Sequence, residues 1–376
     1  MRKLSFLMIA ATALAACSNE NENAGGNSGT NSSSSDEIVF SAGIATPKTR
    51  AYSGVADIAA FNVAAVKADN SVYFAYDAVA QPANPSSDSW ASGKMWTDGT
   101  LNFYAYAPTS VSATVAAAAT QTINFTQTET VANQIDLITA YNSGSRSTNP
   151  IALDFKHALS QIEIQAANGN TADYLVEASG AKLAFLPSTG TMTFQTTASG
   201  AHNPIWATVL YPTWNAQTTP VTFADNLLNS DHLETAVELN GTARKITTNN
   251  FYMLPQTLSG DASGTGTAVW PSEGRTQLTA SNPAAYIAVK CKITRKDDNQ
   301  VLYNGYSAVS LGSDDITWEP GKKYIYTINF FTAGGGGGQI DPINPVDPGA
   351  PIISGINFTV TVSDWVDGGS ANLNMM

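Results

Sequence analysis

The sequence predicts an all-β protein with two tandem β-sandwiches, and three observations support this fold class. Short runs of alternating apolar and polar residues recur along the chain between Gly, Pro, Asn and Asp, and no run of useful length has the 3.6-residue period of a helix. Charged residues make up only 13% of the chain, whereas Thr, Ser, Asn, Ala and Tyr are plentiful, as is typical of solvated sheets. A length of 376 residues suits roughly two such domains.

Residues 1–17 have the features of a bacterial lipoprotein signal peptide. The basic "MRK" precedes the apolar "LSFLMIAATA", and "LAAC" then matches a lipobox that ends at Cys17. Acylation of Cys17 would attach several lipid chains, which is enough for stable anchoring. Because Ser18 is not the aspartate that retains lipoproteins in the inner membrane, we expect a lipid anchor in the outer membrane.

Residues 18–35 are polar and rich in Gly, Ser and Asn, so we expect a disordered tether there. The N-terminal sandwich is predicted to span residues 36–168 and the C-terminal sandwich residues 169–332. Their boundary is placed at "ANGN", where two asparagines and a glycine interrupt the alternating pattern.

Strands are expected in the alternating runs, with a hairpin turn at "RKDDNQ" between two of them. In chain order the main runs are "EIVFSAGI", "IAAFNVAAVKA", "SVYFAYDAV", "TLNFYAYAP", "QIDLITAYN", "IALDFKHALSQIEIQA", "AKLAFL", "TMTFQT", "PIWATVLYP", "NNFYMLPQ", "AAYIAVKCKITR", "QVLYNGYSAV" and "KKYIYTINFF".

A flexible Gly/Pro linker at residues 333–352 separates this body from a last alternating segment at residues 353–376. Unstructured connections of this length are unusual in compact domains and suggest a function. The segment contains "INFTVTV", which places its apolar residues on one face of a strand: Ile356, Phe358, Val360 and Val362. A strand on a tether needs a sheet to cover that face.

The sequence offers no sign of catalytic, metal-binding or cofactor-binding chemistry. Its three histidines do not form a zinc signature, and the polyglycine run lacks the Lys-Ser/Thr of a phosphate loop. His157 is expected to be a structural strand histidine, Cys291 a small core residue, and Asp297 and Asp298 part of the hairpin turn. The formal charge of −12 disfavours nucleic acid as a partner.

The two ends of the chain share one apolar pattern. "EIVFSAGI" places Ile38, Phe40, Ala42 and Ile44 on one face, in the same order as the four apolar residues of "INFTVTV". A trypsin-like or Arg-specific protease that cuts between Arg50 and Ala51 would release the anchor together with the first strand.

The vacated groove could then accept the C-terminal strand of another copy by β-augmentation, and head-to-tail repetition would give a filament. The alternative is that the C-terminal strand pairs within its own chain. The pattern alone leaves both alternatives open.

The chain resembles the Bacteroidetes fimbrillin family of protease-assembled pilus subunits. The resemblance rests on "LAAC", "EIVFSAGI" followed by "TRA", "WTDGTLNFYAYAP", "DLITA", "LDFKHALSQIEI", "FYMLPQ" and "FTVTVSDW". It implies two transthyretin-like sandwich domains, export as a lipoprotein, extracellular cleavage after Arg50 and a donor strand in residues 353–366. The expected partners are therefore other pilin subunits and the protease.

We expect a structural, non-enzymatic pilin subunit of a cell-surface adhesive fimbria. The competing hypothesis is a monomeric lipoprotein, anchored in the outer membrane, that binds glycan or host protein. In that case tyrosines and tryptophans could form a sugar platform, although we expect most of them to be core or strand-pair residues. The tryptophans considered are Trp90, Trp96, Trp206 and Trp214. A hydrolase has no supporting motif.

Overall fold

The structure is a computed structural model, and it describes residues 36–44, 58–83, 89–194, 213–216, 220–224, 236–258, 285–311, 316–331, 339–340 and 357–364. All of these lie in one compact unit, Asp36–Met376. The described residues contain strands and two short 3₁₀ turns, Val131–Asn133 and Arg146–Thr148, and no α-helix. The predicted all-β class is confirmed.

Before residue 158 the described part of the chain forms eight strands. They are β1 (Glu37–Ile44), β2 (Ala60–Lys67), β3 (Val72–Ala80), β4 (Trp90–Met95), β5 (Leu101–Ala107), β6 (Thr122–Thr126), β7 (Ile138–Gly144) and β8 (Ile151–His157).

The residues described after position 158 form fifteen further strands, several of them only two residues long. They are β9 (Ser160–Asn168), β10 (Tyr174–Pro187), β11 (Thr189–Thr193), β12 (Thr213–Ala216), β13 (Pro220–Ala224), β14 (Val237–Glu238), β15 (Arg244–Lys245), β16 (Phe251–Met253), β17 (Gln256–Thr257), β18 (Tyr286–Arg295), β19 (Val301–Ser310), β20 (Thr317–Trp318), β21 (Lys322–Phe330), β22 (Gln339–Ile340) and β23 (Asn357–Asp364).

A seven-stranded sheet has the order β3-β2-β5-β7-β8-β1-β4, and we call it the front sheet because its strands come first in the chain. The sheet folds back on itself, so that Phe40 on β1 packs against Phe61 on β2 and Phe103 on β5, with ring centroids 5.9 and 5.3 Å apart. The result is a sandwich around one buried cluster. We call it the front core, built on Phe40, Phe61, Trp90, Phe103 and Phe155.

Two further sheets enclose a second cluster. One has the order β13-β10-β18-β19-β22, with β14 paired to β10, and the other has the order β15-β9-β21-β23, with β16 paired to β9. Their buried side chains form most of the back core, built on Phe223, Phe251, Ile287 and Tyr326, and Trp318 of β20 packs in the same cluster. Strands β17 and β20 form a separate pair.

A three-stranded sheet, β12-β11-β6, joins strands from before and after the predicted boundary at residue 168. Its buried residues meet the outer face of β5 in a third cluster, the middle core, built on Tyr104, Tyr106, Phe125, Met192 and Phe194. The division into two domains stays a prediction.

The run "IALDFKHALSQIEIQA", predicted as one alternating segment, forms two strands. β8 ends at His157, and β9 begins at Ser160 in a different sheet, beside β21. Ala158 and Leu159 between them are fully buried, so that hydropathy gives no sign of the break. The hairpin predicted at "RKDDNQ" is confirmed, because β18 and β19 pair antiparallel across it.

Candidate functional site

Strand β1, the first of the two predicted exchange strands, lies between β8 and β4 in the front sheet. It runs parallel to β8, from Phe40 opposite Ile151 to Ile44 opposite Phe155. On its other side it runs antiparallel to β4, with Phe40 opposite Trp90. Both edges of β1 are therefore occupied by neighbouring strands.

The apolar face of β1 supplies part of the front core. Ile38 and Phe40 are fully buried and Ala42 is buried. The Phe40 ring makes edge-to-face contacts with Phe61 and Phe103, an arrangement that adds to the hydrophobic contribution of the buried area. Ile44 occupies the end of the strand, and its side chain lies outside the described part of the molecule.

Polar side chains hold the main chain of β1 near its start. The amide of Asn149 accepts a hydrogen bond from Val39 N–H (3.0 Å) and donates one to the Glu37 carbonyl (2.8 Å). Ser92 Oγ on β4 donates to the Ile38 carbonyl at 2.6 Å. Three carbonyl or N–H groups of β1 are thus satisfied by side chains of its neighbours.

A β-bulge shapes β4 beside these contacts. The pairing moves by two residues on β1, from Glu37 to Val39, but by four on β4, from Met95 to Ala91. Gly93 lies in the bulge with φ of 68°, a left-handed conformation that favours glycine. Its N–H donates to the Glu37 carboxylate at 2.8 Å.

Side chains also link β4 to β3, at the opposite end of the sheet order. Lys94 Nζ lies 2.7 Å from Asp77 Oδ2, and Tyr73 donates to the Met95 carbonyl at 2.7 Å. These side-chain contacts close the sandwich. The main-chain hydrogen bonds of β4, however, are made in a ladder with β1. Loss of β1 would remove that ladder.

The second predicted exchange strand, β23, pairs with its own chain in this structure. It runs antiparallel to β21, from Asn357 opposite Asn329 to Asp364 opposite Lys322. Phe358, Val360 and Val362 lie opposite Ile328, Tyr326 and Tyr324, in that order. This is the arrangement that the sequence left open as the alternative to pairing with another copy.

Several predicted site residues lie outside the described residues: Cys17, Arg50, Ala51 and Ile356. Trp90 and Trp96 are buried in the front core, as expected for most of the aromatic candidates, and they are therefore not part of an exposed sugar platform. Trp206 and the side chain of Trp214 are not described.

Cys291 and His157, the two residues considered as candidate catalytic groups, are both buried. Cys291 is fully buried in the back core, as predicted, and burial raises the pKa of its thiol to about 12. His157 is a buried residue of β8, and its Nδ1 lies 3.0 Å from Asp136 Oδ2.

Among the residues that the structure describes, no three His, Cys, Asp or Glu side chains cluster as metal ligands would. The same part of the chain contains no helix with the length and apolar character needed to cross a membrane. The β1 position combines buried apolar side chains with neighbouring side chains that hydrogen-bond to the main chain of the strand.

A family model described as fimbrillin-like matches residues 49–365. The chain belongs to the fimbrillin-like family. A comparison of this fimbrillin-like chain with curated protein sequences finds no match.

Solved structures with a similar arrangement include a fimbrial protein from Bacteroides vulgatus, which is 15% identical with a TM-score of 0.48. The match covers 87% of this chain and 99% of that one. A protein from Parabacteroides distasonis, provisionally assigned to cell adhesion, is 12% identical with a TM-score of 0.49, and the match covers 88% of this chain and 98% of that one.

Proposed function

We propose that this fimbrillin-like chain is a structural, non-enzymatic pilin subunit of a cell-surface fimbria that contributes to adhesion. In this proposal the precursor is a lipoprotein held in the outer membrane through Cys17. An extracellular trypsin-like or Arg-specific protease cuts after Arg50, and the tail of another copy replaces β1.

The observation that carries the proposal is the position of β1 between β8 and β4. Its side chains complete the front core. Because β1 lies on the N-terminal side of Arg50, a cut after Arg50 would separate it from the rest of the chain. Burial of Ile38 and Phe40 contributes roughly 1.5–3 kcal/mol each. Departure of β1 would therefore expose an apolar groove and leave β4 and β8 with unpaired main-chain groups, a state that favours capture of another strand.

The tail of a second copy is a suitable occupant. Its alternating pattern matches that of β1, with Ile356, Phe358, Val360 and Val362 taking the places of Ile38, Phe40, Ala42 and Ile44. In the single chain, β23 instead lies at the edge of a sheet beside β21. A strand at an edge has one neighbouring strand, so release of β23 requires only that its pairing with β21 is broken. Donation from one copy to the next is head to tail, so the contact repeats into a filament.

The first test examines the N-terminus of the protein recovered from cells. Ala51 as the first residue supports cleavage and assembly, and acylated Cys17 as the only N-terminus contradicts it. Arg50→Ala provides the matched variant, which should keep the anchored form and form no fibres.

The second test examines the donor strand directly. F358D/V360D should abolish fibres, because two charges would have to enter an apolar groove. T359D/T361D places the same charges on the other face of the alternating segment and should affect assembly much less. Electron microscopy that shows F358D/V360D fibres as long and abundant as those of the wild type would overturn the proposal.

A further inference from the structure

The side chain of Asn149 binds the main chain of β1 from a position just before β8. Its Oδ1 accepts from Val39 N–H at 3.0 Å, and its Nδ2 donates to the Glu37 carbonyl at 2.8 Å. Neither bond involves a side chain of β1. Asn149 would therefore bind any extended strand that presents an N–H and a carbonyl in these two places.

The local sequence explains why a side chain supplies these bonds. If the parallel ladder between β1 and β8 extended to the N-terminal side of Ile151, it would use main-chain groups of residues 149 and 150. Residue 150 is a proline without an N–H, and the N–H of Asn149 is directed to the Arg146 carbonyl at 3.4 Å in the 3₁₀ turn. The Asn149 amide has one acceptor and one donor group, and it extends the β8 ladder where the main chain cannot.

The contacts of β1 alternate between its two neighbours, as strand geometry requires. Val39 N–H and the Glu37 carbonyl face β8 through Asn149, and the Ile38 carbonyl faces β4 through Ser92. An incoming strand with the same apolar face and direction presents its main chain in the same alternation. With Ile356 in the place of Ile38, Asn357 takes the place of Val39.

We propose that Asn149 anchors the leading end of the incoming strand by hydrogen bonding to its main chain, with Asn357 N–H as the donor. This inference rests on the proposed function and adds a binding residue to it. Proline cannot occupy the anchored position because it lacks the N–H. The tail meets this requirement, since Pro351 is its last proline and precedes Asn357 by six residues.

The test measures the release of a synthetic peptide of residues 353–366 from the full chain cleaved after Arg50. The receptor carries F358D/V360D so that its own tail does not compete. One peptide has the native amide at Asn357, and a second has an ester there, which replaces the N–H by oxygen. A third peptide has the ester at Phe358, whose N–H would face β4.

Asn149→Ala should speed release of the native peptide about tenfold, which corresponds to two ordinary hydrogen bonds of modest net strength. The Asn357 ester should also speed release from the receptor with Asn149 intact, but should have little further effect in the N149A receptor. The Phe358 ester should act equally in both receptors. Equal effects of the Asn357 ester in both receptors would overturn the inference.

Asn142→Ala is the matched control variant. Asn142 also makes two amide hydrogen bonds, to the Ala152 carbonyl and from Ser143 N–H, and neither involves β1. N142A should therefore leave the release rate unchanged within about twofold, since rate changes follow the lost contacts. If N149A does not fold, Asn149→Asp keeps the size and the acceptor but removes the donor, and it should also speed release.

The outcomes separate this inference from the proposed function. A receptor with Asn149 intact that captures no peptide overturns the proposed function itself. A receptor that captures the peptide, but whose N149A and N149D variants release it no faster than N142A does, overturns only the role of Asn149.

Discussion

Phe40 is the aromatic residue that β1 contributes to the front core. It is fully buried, and its ring meets Phe61 and Phe103 edge to face. Phe40→Ala in the uncleaved chain should lower the free energy of unfolding by about 3–5 kcal/mol, because it removes these contacts and leaves a cavity. Urea denaturation measures this change.

Ser41→Ala is the control for Phe40→Ala, since Ser41 is the next residue of β1 and is only half-buried. Its effect should stay within about 0.5 kcal/mol. Equal effects of the two variants would contradict a structural role for the apolar face of β1.

At the scale of residues, the sequence identified the apolar groups of β1 but not the polar groups that bind it. Ile38, Phe40 and Ala42 are buried and follow a period of two, and such a period is visible in the sequence itself. Asn149 is 110 residues from Val39 and Ser92 is 54 residues from Ile38, so the local sequence does not reveal these partners. The one available signal is that Asn149 precedes a proline at the start of a strand, a combination that often marks a turn.

At the scale of elements, alternation predicted many of the strands that have one buried face. In β21, buried and half-buried residues alternate from Lys323 to Phe330. β6 was missed although it alternates in the same way. β4 was missed because its bulge interrupts the alternation and Trp90 is its only buried residue. One of the two neighbours of β1, the strand β4, could therefore not be identified from the sequence.

An ion pair links the parallel strands β9 and β21 on one face of their sheet. Lys323 Nζ lies 2.7 Å from Glu163 Oε2, and Gln165 donates to Glu163 Oε1 at 2.6 Å. Burial raises the pKa of Glu163, but the hydrogen bonds from Lys323 and Gln165, with the charges of Lys323 and Lys245, lower it below its ordinary value. The carboxylate form is thus favoured in the folded chain.

This pKa shift predicts a pH dependence of stability. A carboxylate whose pKa is lowered on folding stabilises the protein above its unfolded pKa of about 4.3, and this contribution is lost as the pH falls through the folded pKa. Below pH 4.3 the free energy of unfolding should therefore decline more steeply in the wild type than in Glu163→Gln. Urea denaturation at a series of pH values measures this difference. Lys323→Met should flatten the curve too, and a slope unchanged in both variants would contradict the prediction.

At the scale of the whole molecule, the sequence predicted two sandwiches but not the middle core. The reason lies in β5, "LNFYAYA", whose residues are buried on both faces. Phe103 enters the front core, while Tyr104 and Tyr106 enter the middle core. Alternation assigns one apolar face to such a strand, and tyrosine is ambiguous because it is common on solvated faces as well. The second packing face therefore had to be observed.

The middle core should couple the opening of the front and back of the molecule. Phe194 is 3% exposed and its ring lies 5.4 Å from that of Tyr104 on β5, edge to face. Hydrogen exchange in low urea should give the slowest amides of β5 and β18 the same opening free energy in the wild type, because coupled regions open together. Phe194→Ala truncates a buried ring, a change that costs about 3–5 kcal/mol, and the two opening free energies should then differ. Phe155→Ala deletes the same phenyl ring inside the front core and should lower both opening free energies together.

Different opening free energies already in the wild type, or equal ones in F194A, would show that the middle core does not couple the two regions.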